Sequence, residues 1–90
     1  MNKRSEMRID CNKSIQVVTS DKTIIKMTAL NYSMSGVGIT GSIYQVIPHV
    51  GEQLKVNFTL DAANLREVNI RGIVKHIDFN GGEYYLGLGL

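Results

Sequence analysis

The chain has 90 residues, 43% hydrophobic and 20% charged, with a formal net charge of +2. A chain this short forms one domain that buries roughly 60–65% of its unfolded surface, which leaves little room for an enclosed catalytic cleft. Its small, interspersed charge sets up no overall field aimed at nucleic acid or membrane, and it contains no apolar run of about 18 residues and no secretory leader pattern.

The expected setting is cytoplasmic and reducing, because the single cysteine, Cys11, has no internal disulfide partner. Residues 1–12 are polar and lack clear periodicity, the pattern of a flexible arm. The arm carries Arg4 and Arg8. Side chains four residues apart share a face in a helix and in an extended strand alike, so the two guanidinium groups face the same way in either conformation. Taken alone such a pair reads as a solvated basic tail, and it is the polar loop downstream that makes it a candidate clamp, for which arginine's planar, bidentate fork is suited.

Two β-like runs follow, 14–19 and 23–32, joined by Ser20-Asp21-Lys22. Ile15, Val17, Ile25, Met27 and Ala29 alternate at period two, as one buried face requires. If the joint is tight, opposed residue numbers sum to about 42 or 43. Asn31 then faces Cys11 or Asn12, and Arg8 faces Met34 or Ser35. The arm therefore comes to lie beside Asn31-Tyr32-Ser33-Met34-Ser35-Gly36, where alternation gives way to short polar side chains and a glycine. Leu30 and Tyr32 break phase just before Ser33, which predicts a bulge or bend. This segment reads as the rim of a ligand site: Asn31 and Ser33 can leave the ladder to bond nearby groups, and Gly36 permits positive φ and close backbone approach.

Gly36-Val37-Gly38-Ile39-Thr40-Gly41 spells G-x-G-x-x-G. That fingerprint needs a preceding strand and a following helix within a βαβ unit. Ser42 to Val50, with Ile43, Tyr44, Val46, Ile47 and Pro48, makes a poor helix. These glycines are expected as turn and bulge positions instead. Leu54, Val56, Phe58 and Leu60 then mark a half-buried strand, and Val68, Ile70, Gly72 and Val74 another on even numbers. Ile73, Ile77 and Phe79 fall on odd numbers, which predicts a second bulge near Gly72 and places Phe79 inward. Asn80-Gly81-Gly82 is a strong hairpin turn, and Tyr84, Leu86, Leu88 and Leu90 close the sheet with one apolar face.

Arg-x-x-x-Arg at Arg4 and Arg8, followed by Asn-x-Ser-x-x-Gly at Asn31, Ser33 and Gly36, resembles the paired signature of the PilZ domain. The resemblance extends through Gly51 to Val56, Gly72-Ile73-Val74 and Leu86-Gly87-Leu88, and so covers nearly the whole chain. It implies a small, six-stranded antiparallel β-barrel of the all-β class over residues 13–90, with the C-terminal helix of many relatives absent or minimal. It also implies a receptor for cyclic di-GMP in which Arg4 and Arg8 clamp the dinucleotide, Asn31 and Ser33 contact guanine, and Gly36 lets the loop lie close. The last strand departs from the family pattern, with Gly89 and Leu90 where many relatives have a basic and then an aromatic residue.

The expected output is an ordered arm that alters the surface offered to a downstream protein partner. The alternative is a PilZ-like interaction module that binds no ligand. A single-stranded nucleic acid binder would need exposed aromatics interleaved with basic residues, and no polymer of that kind is expected as a partner. No catalytic set, cofactor or metal site is expected. His49 and His76 lack ligand partners at metal-binding spacing and read as surface or packing residues.

Overall fold

A computed structural model describes residues 8–61 and 66–90 of the chain. Arg4 and the side chains of Phe58, Leu60 and Val68 lie outside the described residues. Six strands, β1 (Ile9–Val18), β2 (Ile24–Tyr32), β3 (Gly36–Ser42), β4 (Gln53–Asp61), β5 (Arg66–Asn80) and β6 (Glu83–Gly89), form a closed barrel. Around the barrel the order is β1-β2-β3-β6-β5-β4, and every neighbouring pair is antiparallel. Among the described residues there is no helix.

The period-two pattern places its apolar side chains where alternation requires. Ile15, Val17, Ile25, Met27, Ile39, Leu54, Val56, Val74, Tyr84, Leu86 and Leu88 fill the interior. Tyr84 is the largest fully buried side chain, and its hydroxyl donates to the Val46 carbonyl at 3.1 Å. Burial also raises its pKa above the ordinary value. Phe79, expected inside, is 63% exposed, and Leu90, just beyond β6, is exposed as well. Phe79 instead lies outside, its ring centroid 6.4 Å from that of Tyr84.

The first hairpin has the expected register from Val18↔Ile24 to Lys13↔Ala29, numbers summing to 42. Thr19 N–H donates to Thr23 O at 2.9 Å to close its turn, with Lys22 in the left-handed region. A bulge then intervenes between Asp10 and Lys13, with Asn12 at φ 49°. Asn is among the few non-glycine residues that accept this conformation, so the extra residue is accommodated there. Beyond it the sum becomes 41, and Asn31 faces Asp10 rather than Cys11 or Asn12. Strand β1 also takes in Ile9 to Asn12, which sequence had placed in the arm.

The phase break at Leu30 is present as a register shift between Ala29 and Asn31 against β3. The second expected bulge is displaced: β4 and β5 stay in register through Leu54↔Gly72, and the shift falls between Val74 and His76 against β6. Lys75 is the extra residue. Gly81, at φ 65°, and Gly82 make the two-residue turn between Asn80 and Glu83.

Candidate functional site

The loop joining β2 to β3 is short because Ser33 N–H donates to Gly36 O at 2.8 Å, closing the chain directly after the Tyr32↔Val37 pair. Leu90 N–H donates to the Ser35 carbonyl at 3.0 Å and ties the loop to the end of the last strand. Ser33 is buried, and Met34 at the tip is 91% exposed.

The shifted register brings Arg8 onto this loop. Arg8 Nε donates to Asn31 Oδ1 at 2.9 Å, and Nη1 reaches Ser33 Oγ at 3.4 Å. Ser33 Oγ also accepts from Ser35 N–H at 3.4 Å. The guanidinium is thus fixed by two contacts with residues 23 and 25 positions away, and these occupy two N–H donors of a group that carries five. Arg8, Asn31 and Ser33 are therefore brought together; Arg4 lies outside the described residues.

Gly36 allows a close backbone approach, as expected, but without a positive φ. Among the described glycines, only Gly51 and Gly81 have positive φ. Gly36 is a strand residue paired with Gly89, and a Cβ there would sit 2.9 Å from the Leu88 carbonyl oxygen. Close approach, not unusual backbone, is what requires glycine. Gly38 and Gly41 are likewise inside β3 rather than at turns, and no helix follows β3, so the G-x-G-x-x-G run is not a phosphate cradle.

Asn31, Gly38, Gly87 and His76 stand in register across β2, β3, β6 and β5. A Cβ on Gly38 would fall 2.9 Å from Asn31 Oδ1, and one on Gly87 only 2.1 Å from His76 Cε1. Each neighbouring side chain therefore lies over a glycine, which forms the floor of an open cavity of about 420 Å³ bounded by Arg8 and Asn31 on one side and Lys75 and His76 on the other. That volume is within the range of small-molecule sites. A larger groove of about 820 Å³ runs past Lys13, Gln16, Lys26 and Asn57, but it includes none of the motif residues. Sequence reasoning missed Lys75 and His76 as pocket residues. The available signal was the phase slip between inward Val74 and half-buried Ile77, which leaves two consecutive side chains outside.

Among the described residues no group of three or more His, Cys, Asp or Glu could hold a metal, and no helix is long and apolar enough to cross a membrane. A family model described as the PilZ domain matches residues 2–90. No curated protein matches. Among solved structures the chain is similar to the Bacillus subtilis inhibitor of motility, MotI/DgrA, with a TM-score of 0.79 and 17% identity. The match covers 99% of this chain and 43% of that one, so the chain spans less than half the length of that protein.

Proposed function

The chain belongs to the PilZ domain family, and from that membership we propose that it is a cytoplasmic receptor for cyclic di-GMP with no catalysis of its own. The observation that carries this reading is the contact of Arg8 Nε with Asn31 Oδ1 at 2.9 Å, which joins the two halves of the motif pair. Holding a guanidinium against a short polar loop before ligand arrives lowers the ordering cost of binding, since less side-chain freedom remains to be lost.

In this mechanism Arg8 presents its remaining donors to phosphate or to a guanine edge, and Arg4 closes over the dinucleotide from the arm. Asn31 and Ser33 read guanine, and Gly36 keeps the loop close to β6. Asn31 supplies a carbonyl acceptor for a guanine N–H without a carboxylate's charge, so its contact is weaker than an acidic residue would give. Arm ordering then changes the surface offered to a protein partner, and the signal is that change.

Calorimetric titration of the intact chain with cyclic di-GMP tests the reading. Saturable heat is expected, lost or reduced more than tenfold in Arg4→Ala and in Arg8→Ala. Absence of heat from the unmodified chain would leave the ligand-free interaction module as the function. Unaltered affinity in Arg8→Ala would contradict the clamp.

A further inference from the structure

The β5 bulge has a consequence for the same cavity. Within a regular strand Lys75 and His76 would point to opposite faces. The register shift between Val74 and His76 leaves Val74 inward and puts both next residues outside, where both are exposed. Lys75 lies over Gly89, where a Cβ would come 2.6 Å from its Cε, and His76 lies over Gly87. Both border the cavity that Arg8 and Asn31 border from the other side.

We propose that Lys75 and His76 form the second half of the ligand site, taking the phosphate and base of the dinucleotide half that Arg8, Asn31 and Ser33 do not hold. The inference rests on the receptor reading and deepens it. Asn31 and His76 are separated by three strand spacings, on the order of 14 Å at the backbone. Between them Gly38 and Gly87 let the Asn31 amide and the His76 ring lie down against the sheet, so a flat ligand meets those two polar groups and not side chains standing off the strands. That is the shape of a site for a ligand with two nucleotide halves. A lysine ammonium supplies a point charge for phosphate, and an imidazole supplies a plane for a purine together with a hydrogen-bonding nitrogen. The bulge, which interrupts the β5–β6 ladder, is the feature that puts charge and plane side by side.

The test is titration of the intact chain and of Lys75→Ala, His76→Ala and His76→Phe with cyclic di-GMP. Lys26→Ala, an exposed lysine outside this cavity, serves as the charge control. Lys75→Ala and His76→Ala are expected to weaken binding about tenfold each, with melting temperatures held because both side chains are exposed. His76→Phe, which keeps the plane, is expected to restore part of the loss, and Lys26→Ala to leave affinity within about twofold. Unchanged affinity in Lys75→Ala and His76→Ala, with the unmodified chain still binding and Arg8→Ala impaired, would overturn this inference and leave the receptor reading standing. Equal losses in Lys75→Ala and Lys26→Ala would also overturn it, by reducing the effect to net charge. No binding by the unmodified chain would overturn both.

Discussion

At the scale of single residues, Arg8 is held in place by the geometry of its fork as much as by its charge. Its Nε and Nη1 bond two different side chains, an arrangement that a planar fork makes and a lysine ammonium does not reproduce. Arg8→Lys is therefore expected to weaken cyclic di-GMP binding by roughly 10- to 100-fold, the range for lost charge-assisted hydrogen bonds, as read by calorimetry. Retained affinity would mean that charge alone suffices. Gly38 offers a subtler probe, because a Cβ there meets the far end of the Asn31 side chain rather than backbone. Gly38→Ala is expected to displace the Asn31 amide and weaken binding about tenfold, with a melting temperature within a few degrees of the parent. A large fall in melting temperature with unchanged affinity would assign Gly38 to packing alone. Alternation could place Asn31 and Ser33 beside the arm, but not reveal that one glycine lies under the Asn31 amide; that depends on a neighbour in another strand.

At the scale of elements, the strands were legible wherever one apolar face alternates, as in β1 from Ile15, β2 and β6. Bulges were legible only as breaks of phase. A break says that a residue is extra but not which one, so the slip assigned near Gly72 falls at Lys75 and Phe79 lies outside. The connection between β3 and β4 was less legible still, because side-chain contacts far apart in sequence hold it. Glu52 accepts at Oε2 from Ser20 N–H at 3.2 Å and Ser20 Oγ at 3.0 Å, and at Oε1 from His49 N–H at 3.1 Å, tying the β1–β2 turn to this connection. Partial burial alone would raise its pKa, yet the hydrogen bonds from His49 and Ser20 outweigh it and hold the carboxyl below its ordinary 4.5. A folded-state pKa below the unfolded one stabilises at neutral pH, and that contribution is lost as pH falls below about 4.5 through the folded value. Glu52→Gln should lower the melting temperature at pH 7 by about 4–8 °C, for a loss of about 1 kcal/mol. The gap from the parent should narrow in melts below pH 4. A gap independent of pH would show that the carboxylate charge is not what the tie uses.

At the scale of the whole molecule, closure of the barrel is uneven. Strands β3 and β6 pair continuously from Gly36↔Gly89 to Ser42↔Glu83, whereas β1 and β4 meet only at Gln16↔Asn57, Val17↔Val56 and Val18↔Lys55. Val17 and Val56 are buried at that seam, so the short ladder is held by apolar packing at its middle pair. The cavity bordered by Arg8, Asn31, Lys75 and His76 lies on the other side of the barrel, across β2, β3, β6 and β5, with the unbroken β3–β6 ladder at its centre and a bulged ladder on either side. A cavity centred on β3 and β6 keeps Gly38 and Gly87 paired independently of local opening at the seam. Native-state hydrogen exchange is expected to show the Gln16–Val18 and Lys55–Asn57 amides exchanging through openings of lower free energy than the amides between β3 and β6. Val17→Ala should remove about 2 kcal/mol of stability, acting through the seam, while leaving cyclic di-GMP affinity within about twofold. A loss of affinity in that variant, measured well below its melting temperature, would show that closure at β1–β4 and the shape of the ligand face are coupled through the barrel and not independent.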